Sequence, residues 1–465
     1  MLARPRLFIA ALFAAAPWLG LYVTVGWEVN AFKCGLMLSP LLAIHGLRSS
    51  RLGRVGRPLL LLVLYGCAAS GWALVAKEVV VHDVLNVVVY EFRVLVQVFV
   101  FLLSAALPLL IVSAGRSVAD IEKWMNAYLW SVFVLCGYGL VQTLSYLAFQ
   151  NPITPIYRDG LFGTFSEFAT VDILGLRFLR VHSFSREPKD LALVCVPALA
   201  WLFVRVSTPG LLQGRSRRID VCQFVVIATC ALLTFASSLL LMLPVLLVAV
   251  ELIRPVFETT RRIRYGLRVA GVLALGIPLF AIVAQKRVID RFHGPTQSLE
   301  MESFIQPSRE RPALDFLLST WPRSALGYGI GTQAFYLPNR MPAEFSKQVL
   351  DQRTAAGVDS LVIGTTADLG IPGLVLYTMI FLAALTTRRN EAEIVWPVRA
   401  ALLAALLMGI PLNPAQHGGI LWLLVGQACL LRALQRSTFG VQWQPASSLR
   451  ESTPLVPAVP RLAPE

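Results

Sequence analysis

The chain has 465 residues, of which 56% are hydrophobic and only 15% charged, and its mean hydropathy is +0.66. That balance excludes a water-soluble fold for the chain as a whole. The net charge of +14 sits largely in loops between apolar runs, where anionic lipid attracts it, so nucleic-acid binding is not needed to explain it.

The apolar runs are close to the ~20 residues that a helix needs to cross ~30 Å of hydrocarbon, where lipid offers the backbone no hydrogen-bond partner. Strand-length alternation is absent, which sets a β-barrel aside. The expectation is an all-α, polytopic membrane protein of about twelve spans, at 7–26, 31–47, 58–76, 92–113, 127–149, 191–206, 221–236, 239–253, 267–284, 360–385, 395–412 and 420–434. Only Ser237 and Ser238 separate the seventh span from the eighth, which reads as one bent segment or as a hairpin with a tight outer turn. The first span, with its trailing Trp27-Glu28, is read as retained rather than as a cleavable leader.

Lys and Arg near span ends stay on the cytoplasmic side. Arg4 and Arg6 precede the first span; Arg48, Arg51, Arg54 and Arg57 follow the second; Arg215, Arg217 and Arg218 follow the sixth; Arg254 and Arg261 follow the eighth; Arg388 and Arg389 follow the tenth. Twelve spans put all of these on one side, which favours the hairpin at the serines. Both termini are then cytoplasmic. Residues 1–284 hold nine spans with an outer loop at 150–190, residues 285–358 form one large outer loop, and 359–434 hold three more spans. The Pro- and Ser-rich tail, 435–465, is expected to be disordered.

The connection at 77–91 is expected to lie along the interface as a helix. All seven cysteines fall in or beside apolar spans and read as small core residues, with no disulfide expected. No His or Cys cluster has metal-ligand spacing, and no metal or cofactor is expected. Within 285–358, Pro307, Pro312, Pro322, Pro338 and Pro342 cut the chain into short pieces. One short helix at 313–320 is expected there, the remainder being loop that leans on the membrane domain.

Outer arginines run against the topology rule, and Arg158, Arg177, Arg180, Arg186, Arg287, Arg291, Arg309, Arg311, Arg323, Arg340 and Arg353 are all outer. Arg suits bidentate phosphate recognition, and a lipid-borne diphosphate would meet these side chains at the mouth of the bundle. Pairing with the loop's own acidic residues is the structural reading of the same pattern. Around Arg180-Val-His182-Ser-Phe-Ser-Arg186-Glu187-Pro188, Pro188 suits a helix start whose free N–H groups favour an anion. Capped-span and anion-site readings are both open there. Gly327-Tyr-Gly329-Ile-Gly331 lacks the strand-helix surroundings of a dinucleotide fingerprint, and its glycines read as letting backbone approach a ligand or another segment closely. Asp359 stands where the chain re-enters the bilayer and Asp368 about two and a half turns deeper, each a base or an Arg partner. Gly370, Pro372 and Gly373 are expected to kink that span.

The order of these features resembles the O-antigen ligase and polymerase superfamily of bacterial membrane glycosyltransferases (Wzy-like). It comprises the Arg-led Ser-x-x-x-Glu-Pro, Thr234-Phe-Ala-Ser-Ser, an Arg about 18 residues before Gly-x-Gly-x-Gly, then Asp-Ser and Leu-Gly-Ile-Pro-Gly. The resemblance covers roughly 180–373. It implies a GT-C-like, metal-independent, inverting transferase of the bacterial inner membrane. The large loop would be periplasmic, the donor an undecaprenyl-diphosphate-linked glycan, and the acceptor a second sugar chain. By motif position Arg180 and Arg309 would bind the diphosphate, with Arg311 replacing Arg309 if the loop register differs by two. Arg186 would join the phosphate set, and Arg287 and Arg291 are weaker candidates. Ligases usually carry His-Asn where Asp359-Ser360 stands, which tilts the reading toward an exopolysaccharide, capsule or O-antigen polymerase. Asp359 would be the general base, with Glu187 and His182 as secondary candidates. A flippase and a chain-length regulator are the partners such a polymerase implies. A ligase acting on lipid A core or protein, and a transporter or flippase, are the alternative readings.

Overall fold

In the computed structural model the described residues are 5–18, 22–24, 28–46, 52–78, 90–149, 170–173, 176–181, 183–185, 188–207, 217–236, 310–336, 360–386, 395–412 and 419–442, with a few isolated positions between 239 and 250. These are mostly helical. Among the described residues, five helices are long and apolar enough to cross a bilayer: 53–76, 90–114, 118–149, 188–207 and 361–385. The span expected at 267–284 and the serine turn at 237–238 lie outside the described residues, as do residues 79–89 of the expected interfacial helix and all but a few positions of the span expected at 239–253.

Helix α1 (Pro5–Ala15) is shorter than the expected first span. Pro17 has no N–H for the helix and disfavours α geometry at Ala16, so the chain turns there and leads to a hairpin of β1 (Tyr22–Thr24) and β2 (Glu28–Asn30). The 20-residue span at 7–26 is therefore corrected to a helix, a turn and a strand. Helices α2 (Ala31–Gly46), α3 (Gly56–Ala76) and α4 (Tyr90–Ala114) agree with the expected spans to within two residues. Helix α5 (Val118–Phe149) starts nine residues early, because Ser117 and Asp120 cap it reciprocally: Asp120 N–H donates to Ser117 Oγ at 3.3 Å, and Ser117 N–H to Asp120 Oδ2 at 3.1 Å.

A second hairpin pairs β3 (Thr170–Ile173) with β4 (Leu176–Leu179), with Asp172 opposite Arg177. It delivers the chain to Arg180. Helix α6 (Pro188–Ser207) begins on Pro188, as its missing N–H favours, and α7 (Arg217–Leu233) follows. The expected short loop helix is α8 (Glu310–Ser319), followed by a 3-10 turn at Arg323–Leu326 and a single turn, α9 (Gln333–Tyr336). The fold closes with α10 (Leu361–Leu385), α11 (Val395–Leu412) and α12 (Gly419–Gln442). Helix α12 extends eight residues into the stretch expected to be disordered.

Helix α6 packs on α7 and α11, α12 on α4, α1 on α5, and α10 on α3 and α11. Their polar ends show how they are oriented. Arg6 pairs with Asp120 at 3.6 Å, Arg205 with Asp220 at 3.1 Å and with the Asn126 amide oxygen at 3.2 Å, and Arg432 donates to the carbonyls of Ala383 and Thr386. These contacts gather the starts of α1, α5 and α7 with the end of α6, and join the end of α10 to the middle of α12, where Leu430 lies against Gly115 just before α5. At the opposite end, Tyr90 Oη donates to Ala73 O and packs edge-on against Phe335, while Gln333 Nε2 donates to Gly364 O. Arg6, Arg205 and Arg432 thus lie toward one end, and the motif segments lie toward the other.

Candidate functional site

Two constellations carry the motifs. In the first, the segment after β4 lies across α5 and the end of α7. Val181 N–H donates to Leu233 O at 3.0 Å, a carbonyl left without a helical partner because α7 stops there. Arg180 Nε donates to Thr234 O at 3.3 Å, and Phe178 packs against Phe235 with ring centroids 6.1 Å apart. The Arg-led motif and Thr234-Phe-Ala, 54 residues apart, therefore meet. Thr234 shapes its own turn, donating through Oγ1 to Ala231 O at 2.7 Å and accepting from Ala236 N–H at 3.3 Å.

Ser183 takes the left-handed conformation, φ 54°, which a side-chain-bearing residue adopts only when held there. Its N–H donates to Gln142 Oε1 at 3.0 Å and its Oγ to Leu135 O at 2.6 Å. Phe184 fits between Trp18 and Tyr138. Gly139 makes the approach sterically feasible: a Cβ there would stand 2.6 Å from Val181 Cγ1 and 3.0 Å from Cys230 Sγ. Directly beneath, the buried free thiols of Cys136, Cys195 and Cys230 converge from α5, α6 and α7, the first two with sulfurs 3.5 Å apart. Among the described residues, no group of three or more His, Cys, Asp or Glu side chains is arranged to hold a metal ion.

The second constellation joins Gly327-Tyr-Gly-Ile-Gly to the broken helix α10. Gly370, at φ 64° and ψ −165°, interrupts the helix, as Gly370-Ile-Pro372 leads one to expect. Pro372 has no N–H to offer Asp368 O, and the break withdraws the partner of Ala367 O. The loop supplies both missing donors: Tyr328 N–H reaches Ala367 O at 2.9 Å and Gly329 N–H reaches Asp368 O at 2.8 Å. Gly327 and Gly370 pass backbone to backbone, a Cβ on Gly327 falling 2.4 Å from Gly370 N and one on Gly370 2.2 Å from Ala325 O. Gly329 lies on Ala69 and Ala73 of α3, and Ile330 N–H donates to Ser70 Oγ at 3.1 Å. The alternating glycines thus admit a neighbouring segment, and that segment is a pair of membrane-length helices.

Under this loop lies a buried polar group that sequence reasoning found only in part. Asp368 is fully buried, with the Gly331 N–H, the Gln333 amide and the Arg93 guanidinium around it, and neither carboxylate oxygen completes a hydrogen bond of good geometry. Arg93 Nε donates to Gly331 O at 3.2 Å, and Gln97, one turn along α4, lies against Gly331. Arg93 and Gln97 were legible in principle. They are two polar residues four apart at the start of an apolar run, and so share a helix face.

Several expected site residues fall elsewhere. His182, Arg186, Glu187, Arg287, Arg291, Arg309 and Asp359 lie outside the described residues, and Arg311 belongs to the first turn of α8. Ser360 caps α10, its Oγ accepting from Ile363 N–H. Arg323, one of the outer arginines, has a structural role: it pairs with Glu78 at 2.6 Å, donates to Gly327 O at 2.8 Å and covers the Tyr328 ring at 5.1 Å.

The chain matches no protein-family model, and no curated protein is similar to it in sequence.

Proposed function

We propose that this protein is a membrane glycosyltransferase that polymerises undecaprenyl-diphosphate-linked oligosaccharide repeat units. In this reading it crosses the bacterial inner membrane about twelve times, with both termini cytoplasmic and its site on the periplasmic face. The observation that carries the reading is that its motifs pair in space. The Arg180 segment meets Thr234-Phe-Ala, and the Gly-x-Gly-x-Gly loop meets Leu369-Gly-Ile-Pro-Gly. Both pairs lie toward the end of the bundle away from Arg6, Arg205 and Arg432.

The acceptor hydroxyl gives its proton to Asp359 and its oxygen attacks the anomeric carbon from the face opposite the diphosphate. As the new glycosidic C–O bond forms, the bond to the diphosphate oxygen breaks, and undecaprenyl diphosphate leaves with the electron pair and the configuration inverted. Arg180, Arg186 and Arg309 offset the negative charge that grows on the leaving group, Arg311 serving in place of Arg309 if the register differs by two, with Arg291 at the margin. Glu187 and His182 are the remaining proton acceptors. Asp368, Arg93 and Gln333 hold the glycine loop in position and do not touch sugar.

Gel analysis of lipid-linked glycans tests this, in cells lacking the protein and complemented with the wild-type chain or with Arg309→Ala. Single repeat units on lipid without polymer are the expected result for the deletion and for the variant. Long lipid-linked polymer that never reaches a final acceptor would make the protein a ligase, and unchanged glycans would leave transport as its role.

A further inference from the structure

The segment Trp321–Gln333 holds Pro322, Arg323 and three glycines, and the sequence reads as part of the large outer loop, leaning on the membrane domain from outside the bilayer. Its contacts put it elsewhere. Tyr65 Oη, which donates to Leu326 O at 2.6 Å, belongs to a residue eleven positions short of Ala76, about 16 Å down α3 at ~1.5 Å per residue. Gly370, against which Ala325, Leu326 and Gly327 pack, is nine residues beyond Leu361, about 14 Å down α10 by the same rise. From there the chain climbs: Gly329 meets Ser70 and Ala73, Gln333 meets Gly364, and Phe335 reaches Tyr90 at the helix ends.

We propose that residues 320–333 form a re-entrant segment that dips to about the middle of the hydrocarbon from the side holding Ala76, Tyr90 and Leu361, and that its outward face contacts lipid chains. Leu326 is 57% exposed and Trp321 60% exposed. They continue apolar surfaces that already face outward on two membrane-length helices, Leu61 and Leu64 on α3 and Ile371 and Val375 on α10. Irregular backbone survives at that depth only when its polar groups are satisfied by protein. That condition is met here: Tyr328, Gly329 and Ile330 donate to Ala367, Asp368 and Ser70, and the carbonyls of Leu326, Gly327 and Gly331 accept from Tyr65, Arg323 and Arg93. The one cation on the outward side, Arg323, is neutralised by Glu78, which also accepts from Trp72 Nε1 at 3.1 Å. The occupant of this face is bilayer hydrocarbon, and the inference stands apart from the transferase reading.

Spin labels on single cysteines test it in the full chain, reconstituted in liposomes after replacing the exposed Cys34, Cys67 and Cys222. Leu326→Cys and Trp321→Cys are compared with Leu64→Cys on α3 and Lys77→Cys beyond its end. The expected oxygen-to-NiEDDA accessibility ratio at 326 lies within a factor of about two of that at 64 and well above that at 77, for a site near mid-hydrocarbon. The label at 321 reads shallower, toward the headgroups where Trp settles. NiEDDA access at 326 equal to that at 77 would place the segment in water. Inaccessibility to both reagents would mean that protein, from this chain or a second copy, covers the face. Either result overturns the proposal, and because 321 and 326 are both outward-facing, a folding failure in one leaves the other to decide.

Discussion

The two constellations solve the same problem in opposite ways. Where the Arg180 segment meets α5 and α7, the helices stay intact, and the incoming backbone takes up what helices offer anyway: the terminal carbonyl of Leu233 and the side chain of Gln142. The space comes from one glycine on the receiving helix, Gly139. Where the Gly327 loop meets α10, the receiving helix is itself broken, so that mid-helix carbonyls of Ala367 and Asp368 become available, and the space comes from glycines on both partners. A loop can thus dock on an intact helix through a terminal carbonyl, side chains and a glycine, whereas giving its N–H groups to mid-helix carbonyls goes with a break written into the sequence.

That contrast predicts a ranking. Gly327→Ala or Gly370→Ala has the largest effect, because each Cβ meets main chain at positive φ and main chain has nowhere to move; about 4 kcal/mol or more is lost. Thermal unfolding of the purified protein in detergent would register it as failure to yield folded material or a large drop in midpoint. Gly139→Ala is milder, about 1–3 kcal/mol, because its Cβ meets the end of the Val181 side chain, which gives way. Adding Val181→Ala restores part of that loss, and a double-mutant cycle showing no coupling would refute the close approach.

Ser183 separates conformation from hydrogen bonding. Ser183→Ala retains the strained φ and loses the hydroxyl's bond to Leu135 O, at about 1–2 kcal/mol. Ser183→Gly loses the same hydroxyl but relaxes the backbone, so it destabilises less, and the reverse order would refute the strain argument. The smallest effect is expected of Pro372→Ala, under about 1 kcal/mol, since Gly370 and the two loop N–H groups hold the break after an amide is returned at 372. A closed, regular helix in that variant, seen as amide protection at 371 and 372, would make the proline the cause of the break.

Much of this was legible before any coordinates. Apolar runs near 20 residues located α2, α3, α4, α6, α10 and α11 closely, because hydrocarbon thickness dictates helix length directly. Pro188 and Gly370-Ile-Pro372 marked a helix start and a helix break through local backbone chemistry alone. The misread first span shows where that logic stops: hydropathy counts 7–26 as one run, while Pro17 ends the helix inside it. Of the candidate site, the glycine loop, Arg180 and Asp368 stand out in the sequence, whereas Arg93 and Gln97 read as part of a span because apolar residues surround them.

The sequence by itself determined a largely helical, apolar chain with long membrane-length segments, their capped and broken ends, and the small residues at which something must come close. These follow from short-range rules of hydrocarbon thickness, missing N–H groups and absent Cβ atoms. Only the tertiary structure decided what comes close: that the Arg180 segment docks on Thr234, that the glycine loop supplies the donors missing from α10, and that Arg323 pairs with Glu78. Those partners are 39 to 245 residues apart, and which carbonyl is left without a donor is settled only once every other helix has taken its place.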